Sequence, residues 1–142
     1  MLKQVLIKAI VPDPNNAAEY TVYLFDEQSN ILLPINIESD SAKALTMAEH
    51  AIPCARPHIH DTTRRLISSM GASITSAVIY YSKEDIYYAH VRLKLGQMEL
   101  DVDARVTDAV ALAIRFDSDI FVEQEVLDRE AIKVTKEIVE KA

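Results

Sequence analysis

Between Gln97 and Val122 the chain changes the period of its hydrophobic pattern. Met98, Leu100 and Val102 alternate with Glu99, Asp101 and Asp103, which predicts a strand with one apolar face and one face of carboxylates. From Val106 the period lengthens to about 3.6. Val106, Val110, Ala113 and Ile114 then fall on one side of a helix over 106–116, with Thr107, Asp108 and Arg115 elsewhere. Ala104-Arg105 is the join between strand and helix, and it brings unlike charges within a few residues of one another.

Earlier stretches carry the same two periods. Val5 to Val11 is a nearly continuous apolar run that predicts a buried strand, stopped by Pro12-Asp13-Pro14-Asn15-Asn16. Thr21 to Phe25 and Ile31 to Ile37 predict two more strands across the polar turn 26–30. Pro34 lacks an N–H and marks the third strand as an edge or a bulge. Ser39, Asp40 or Ser41 can cap a helix with the stripe Ala44, Leu45, Ala48 and Ile52. A second helix is expected from about His60 to Met70, burying Ile59, Thr63, Leu66, Ile67 and Met70, with Gly71 at its C-cap. Residues 73–103 then read as a three-stranded antiparallel meander, and Ile120 to Val122 as a short strand.

This order of elements predicts an α+β fold: a mixed, mainly antiparallel sheet with packed helices, one compact domain over 1–142. The region 123–142 reads as a charged helical tail whose thin stripe of Ile132, Ile138 and Val139 suits a partner subunit, so a homo-oligomer, first a dimer, is expected. Length allows roughly two-thirds of the unfolded surface to be buried without a metal or disulfide staple. The single Cys54 can form no internal disulfide and suits a reducing, cytoplasmic setting. No apolar run approaches the ~18 residues that cross a bilayer. The net charge of −7 argues against broad attraction to nucleic acid, so a polyanion would need a local basic patch or a bridging metal ion. With only Gly71 and Gly96 in the chain, a glycine-rich phosphate cradle and a dinucleotide fingerprint are excluded.

The candidate chemistry gathers at the strand–helix join. Asp101 and Asp103 share a strand face, and Asp108 can reach toward them from the next helix, which sketches a Mg²⁺ or Mn²⁺ site. An arginine such as Arg105 can grip a phosphate with paired donors. Each feature also has a plainer reading: alternating acids on a solvated face, Asp108 complementing a helix dipole, Arg105 paired to Asp103 or Asp108. His60 can serve as a general base with Asp61 orienting it, or Asp61 can simply open its helix. His90, Arg92 and Lys94 share a face that suits cross-strand ion pairs with Glu99 and Asp101, and the tyrosines Tyr80, Tyr81, Tyr87 and Tyr88 read as core and rim.

Taken together, Arg56-Pro57, His60-Asp61, a β-meander, the run Asp101-Val102-Asp103-Ala104-Arg105 with Asp108-Ala109 and Ala111-Leu112-Ala113, then Ile120-Phe121-Val122, resemble the bifunctional nuclease family, also called the domain of unknown function 151 family. The resemblance implies a compact α+β domain and, in some members, nuclease activity on DNA and RNA. Carried over by position, it implies Arg56, His60, Asp61, Asp103, Arg105 and Asp108 as site residues. Two places depart from the family pattern: Val106 replaces a proline, and Glu38 and Ser41 stand where a glycine and a glutamate are usual.

The functional expectation is therefore a metal-assisted nuclease of little sequence preference, with no organic cofactor and no membrane partner. Its alternative is a non-catalytic interaction domain in which the acid–arginine cluster is structural. Converging carboxylates around an open site favour the first; Arg105 buried in pairs with Asp103 and Asp108 favours the second.

Overall fold

A computed structural model describes residues 1–50 and 59–134. Arg56, Cys54, Ile52, Ile138 and Val139 lie outside the described residues. The elements are β1 (Leu2–Asp13), β2 (Asn16–Asp26), β3 (Ile31–Glu38), α1 (Ser39–Glu49), α2 (Ile59–Ser69), β4 (Ala72–Lys83), β5 (Ile86–Leu95), β6 (Met98–Ala104), α3 (Val106–Arg115), β7 (Asp119–Glu123), α4 (Gln124–Glu130) and β8 (Ile132–Lys133). The strands form one sheet in the order β6-β5-β4-β7-β1-β2-β3-β8. Every pairing is antiparallel except β4 with β7. The fold is the expected α+β class.

The sheet bends far enough to bring distant strands together. Tyr87 of β5 donates its hydroxyl to the Pro34 carbonyl of β3 at 3.1 Å, although four strands lie between them in the sheet order. Burial, with Glu130 and Asp85 adding to it, pushes the Tyr87 phenol well above its ordinary range, so it stays a neutral donor. Beyond Leu32, β3 has no partner on its β8 side among the described residues, which is where Pro34 sits, in keeping with its missing N–H.

Inside this curve lies α3. A single apolar stripe was expected, yet Thr107, Ala109, Val110, Ala111, Leu112 and Ala113 are all buried, so α3 is enclosed on nearly every side. Its three alanines let neighbouring backbones come close. Val22, Leu24, Leu33, Ile35 and Ile37 from one half of the sheet, Ile74, Ala77, Ile79, Ala89 and Val91 from the other, and Leu45 from α1 complete the same core. Each fully buried large side chain contributes about 1.5–3 kcal/mol. The helix ends in a Schellman turn: Ser118 N–H donates to Ala113 O at 2.8 Å and Asp117 N–H to Ile114 O at 3.0 Å, with Asp117 at φ 53°.

α2 is turned differently from its sequence pattern. Ile59, Leu66 and Met70, expected inside, are exposed, while His60 is buried and Ile67 half-buried. Polar ties to α3, described below, pull the His60 face inward and leave the apolar row outside. Gly71 follows at φ 80°, the left-handed C-cap that the sequence predicts. After β7, the chain is helical over α4, where Val126 and Leu127 are buried, and Ile132–Lys133 then add a short strand to β3.

The β4–β5 hairpin turns through Glu84 and Asp85 at φ 51° and 65°. Both positive values fit a type I′ turn, whose preferred residues are Asn-Gly rather than Glu-Asp. The double substitution Glu84→Asn, Asp85→Gly is expected to raise unfolding stability by about 1 kcal/mol or more. A urea midpoint unchanged from wild type would show that the turn stores no such strain.

Candidate active site

Arg105 occupies the position just before α3, with extended backbone and no side-chain cap. The first intrahelical bond is Ala109 N–H to Arg105 O at 2.9 Å, so the N–H groups of Val106, Thr107 and Asp108 have no acceptor within the helix. Free donors and the positive end of the helix dipole favour an anion there. Arg105 is exposed and its side chain makes no ion pair or hydrogen bond among the described residues. It lines a groove of about 340 Å³ with Thr107, Tyr87, Glu38, Glu19 and Asp85. Three carboxylates share that groove, yet none of them pairs with it.

One turn into α3, Asp108 Oδ1 lies 2.8 Å from His60 Nε2. The His60 side chain is only 10% exposed and that of Asp108 46%. Because a carboxylate at neutral pH only accepts, His60 Nε2 carries the proton and donates it, and in the neutral ring Nδ1 is then an acceptor. Nδ1 is buried with no partner among the described residues. His60 therefore fixes one carboxylate oxygen of Asp108, and the second oxygen has no partner among the described residues, on a side chain that is nearly half exposed.

Asp61, next in the chain, reaches α3 at the other end. Its Oδ1 accepts from Arg115 Nε at 2.7 Å, and the Arg115 side chain is only 8% exposed. Arg115 also donates to Ala111 O. The helical period sets Arg115 off the apolar stripe together with Asp108 without giving it a role, and the seven-residue interval between them puts both on one side of α3, two turns apart.

Asp101 and Asp103 stand apart from this group. On β5 and β6, Val91, Leu93, Val102 and Leu100 share the face that packs toward α3, so their neighbours His90, Arg92, Asp101 and Asp103 lie on the other face. Asp101 accepts from Arg92 Nε at 3.0 Å, and His90 Nε2 is 3.7 Å away. The hydrogen bond from Arg92, with help from His90, holds the Asp101 carboxyl below its usual range. Asp103 accepts from Tyr80 at 3.2 Å, and Tyr80 stacks on His90 with ring centroids 5.3 Å apart. The Asp101 pairs with Arg92 and His90 are among the cross-strand pairs the sequence suggests, whereas the Tyr80–Asp103 bond is not. Tyr87 is half-buried against the core and Tyr80, Tyr81 and Tyr88 lie at the exposed rim.

The sheet itself thus separates Asp101 and Asp103 from Asp108, and the three do not converge. Among the described residues no group of three or more His, Cys, Asp or Glu side chains is placed to hold a metal ion. The residues sketched as a Mg²⁺ or Mn²⁺ cage do not fit one. Neither sequence criterion is met in full: the carboxylates do not converge, and Arg105 is not buried between Asp103 and Asp108.

Inside the curved sheet, α3 thus opens on Arg105 and carries, in its first turn, Asp108 held by the buried His60. The bifunctional nuclease domain matches residues 22–135, and the chain belongs to that family. Among its relatives, the uncharacterized protein Rv1829 of Mycobacterium tuberculosis is 30% identical over 132 residues, covering 93% of this chain and 77% of its own length. Bifunctional nuclease 1 of Oryza sativa subsp. japonica is 25% identical over 126 residues, covering 86% of this chain but only 38% of the rice protein. Bifunctional nuclease of Oryza minuta matches to the same extent.

Proposed function

We propose that this chain is a nuclease that hydrolyses phosphodiester bonds of DNA and RNA with little sequence preference, and that the phosphate binds at the start of α3. Family membership supports the reaction class, and the Arg105 side chain, unpaired among the described residues, beside helix N–H groups with no acceptor among them supports the place. An arginine can hold two phosphoryl oxygens at once, and the N–H groups of residues 106–108 can take a third, where negative charge grows in the transition state. The outward oxygen of Asp108 is positioned to draw a proton from attacking water while His60 holds the inner oxygen still. These groups address the phosphate and not the base, which accounts for low sequence preference.

A second reading, the non-catalytic interaction domain, is favoured by the structural ties of Asp61 to Arg115 and of Asp101 to Arg92. One assay separates the two. Purified chain is incubated with single-stranded DNA, duplex DNA and RNA, in Mg²⁺, in Mn²⁺ and with chelator, beside Asp108→Asn purified identically. We expect cleavage by wild type and a loss of about 10²-fold or more in Asp108→Asn with an unchanged melting curve. Equal rates in the two proteins would assign the activity to a contaminant or to another site.

A further inference from the structure

The far side of β6 is an open sheet edge of unusual make-up. Among the described residues β6 pairs with β5 alone, and the opposite edge of the sheet, β8, is only two residues long. The β5–β6 hairpin closes on Leu95 and Met98 across the two-residue loop Gly96-Gln97. In such a hairpin the closing pair is hydrogen-bonded and the pattern alternates from there. Met98, Leu100, Val102 and Ala104 therefore point their N–H and C=O groups toward β5. Glu99, Asp101 and Asp103 point theirs outward, with no strand among the described residues to receive them.

Side chains along this edge sort by face. On one side Met98, Leu100 and Val102 are 56%, 47% and 46% exposed, and Leu95 beside them 40%. On the other side Glu99, Asp101 and Asp103 are all exposed. Natural edges are commonly blunted by charge on one side; here the acids do so, while the apolar row is left uncovered.

A second copy of this chain does not fit the edge. Two antiparallel β6 strands related by a twofold axis must run perpendicular to that axis through the sheet, and residues that face one another then share a side. Acids occupy only odd positions and apolar residues only even ones from Met98 to Asp103, so every such register sets carboxylate against carboxylate. Like charges directly opposed are destabilising.

We propose that the β6 edge takes up an extended segment of a partner protein in which lysine or arginine alternates with apolar residues. Backbone bonds to Glu99, Asp101 and Asp103 would hold the added strand, the basic side chains would face those carboxylates, and the apolar ones would cover Met98, Leu100 and Val102. Asp101 is already paired with Arg92, so the charge that selects against an acidic strand and against nucleic acid comes chiefly from Glu99 and Asp103, which make no ion pair among the described residues.

The test uses a short synthetic peptide alternating lysine or arginine with valine, a counterpart with glutamate at the basic positions, and a shuffled peptide of the first composition. Binding to the full chain is followed by fluorescence anisotropy and by amide hydrogen exchange. We expect the alternating basic peptide to bind and to slow exchange at Glu99, Asp101 and Asp103. The glutamate and shuffled peptides should bind at least about tenfold more weakly. Glu99→Lys should weaken binding by about tenfold, and Glu99→Pro, which removes an outward N–H without touching the β5 ladder, should abolish it. Circular dichroism checks that both variants stay folded. Equal binding of the shuffled peptide, or unchanged exchange at the three amides, would overturn the proposal, as would sedimentation showing a dimer in which those amides are already protected.

Discussion

Arg105→Ala is expected to lower phosphodiester cleavage by about 10²- to 10³-fold, the size of effect seen when one donor to a developing oxyanion is removed. The fold should not notice the change. Arg105 is exposed and has no partner among the described residues, and substitutions at such positions usually stay within about 0.5 kcal/mol. The pair of measurements that matters is kcat/KM on a defined oligonucleotide and the urea midpoint of the same preparation. Arg105→Lys extends the test. Lysine keeps the charge but not the planar fork, so a role as a two-oxygen grip predicts that lysine restores only a small part of the rate, whereas a role in electrostatic attraction predicts most of it. Full activity in Arg105→Ala would remove the start of α3 from the reaction. The acids lining the same groove, Glu19, Glu38 and Asp85, oppose a polyanion, so Arg105 should matter most at the bound phosphate and less in long-range attraction.

Much of the architecture could be read from local pattern because local pattern decided it. The alternation of Met98 to Asp103 set the faces of β6, and the same alternation already determined that its acids could not meet Asp108. An apolar face must turn toward the helix that covers it, and Asp101 and Asp103 stand on the opposite one. The metal sketch added reach along the chain without following which side of the sheet each residue took. The twist of α2 shows the complementary failure. Ile59, Leu66 and Met70 do lie on one side of a helix, but periodicity says nothing about what covers that side, and the His60 and Asp61 ties to α3 outweighed it. The central place of β1, between β7 and β2, joins opposite ends of the chain and leaves no local trace. Arg115 was the one site-related residue with a usable signal: seven residues after Asp108, it had to share that residue's side of α3 and so face α2.

The Asp61–Arg115 tie carries the largest stability prediction. Asp61→Ala leaves the Arg115 guanidinium, 8% exposed, without its 2.7 Å acceptor. Stranding a buried charge in this way costs about 3–5 kcal/mol, a large share of the roughly 5–15 kcal/mol that holds a domain together. A fall in melting temperature of about 10 °C is expected, and because the pair is largely shielded from solvent, added salt should change it little. Asp61→Asn keeps an oxygen acceptor but not the charge, so its loss should be smaller. The double variant Asp61→Leu, Arg115→Met removes both charges and should recover part of the stability lost by Asp61→Ala, the part that comes from the unpaired guanidinium. The same series decides what Asp61 does. Resemblance places it among the site residues, whereas the geometry gives it to the α2–α3 joint, from which it acts on the site through the placement of its neighbour His60. A structural role predicts that Asp61→Asn, assayed well below its melting point, keeps most of its kcat and shifts only its thermal limit. A collapse of kcat with stability intact would put the Asp61 carboxylate in contact with the reacting phosphate, and the α2–α3 joint would then be part of the active site.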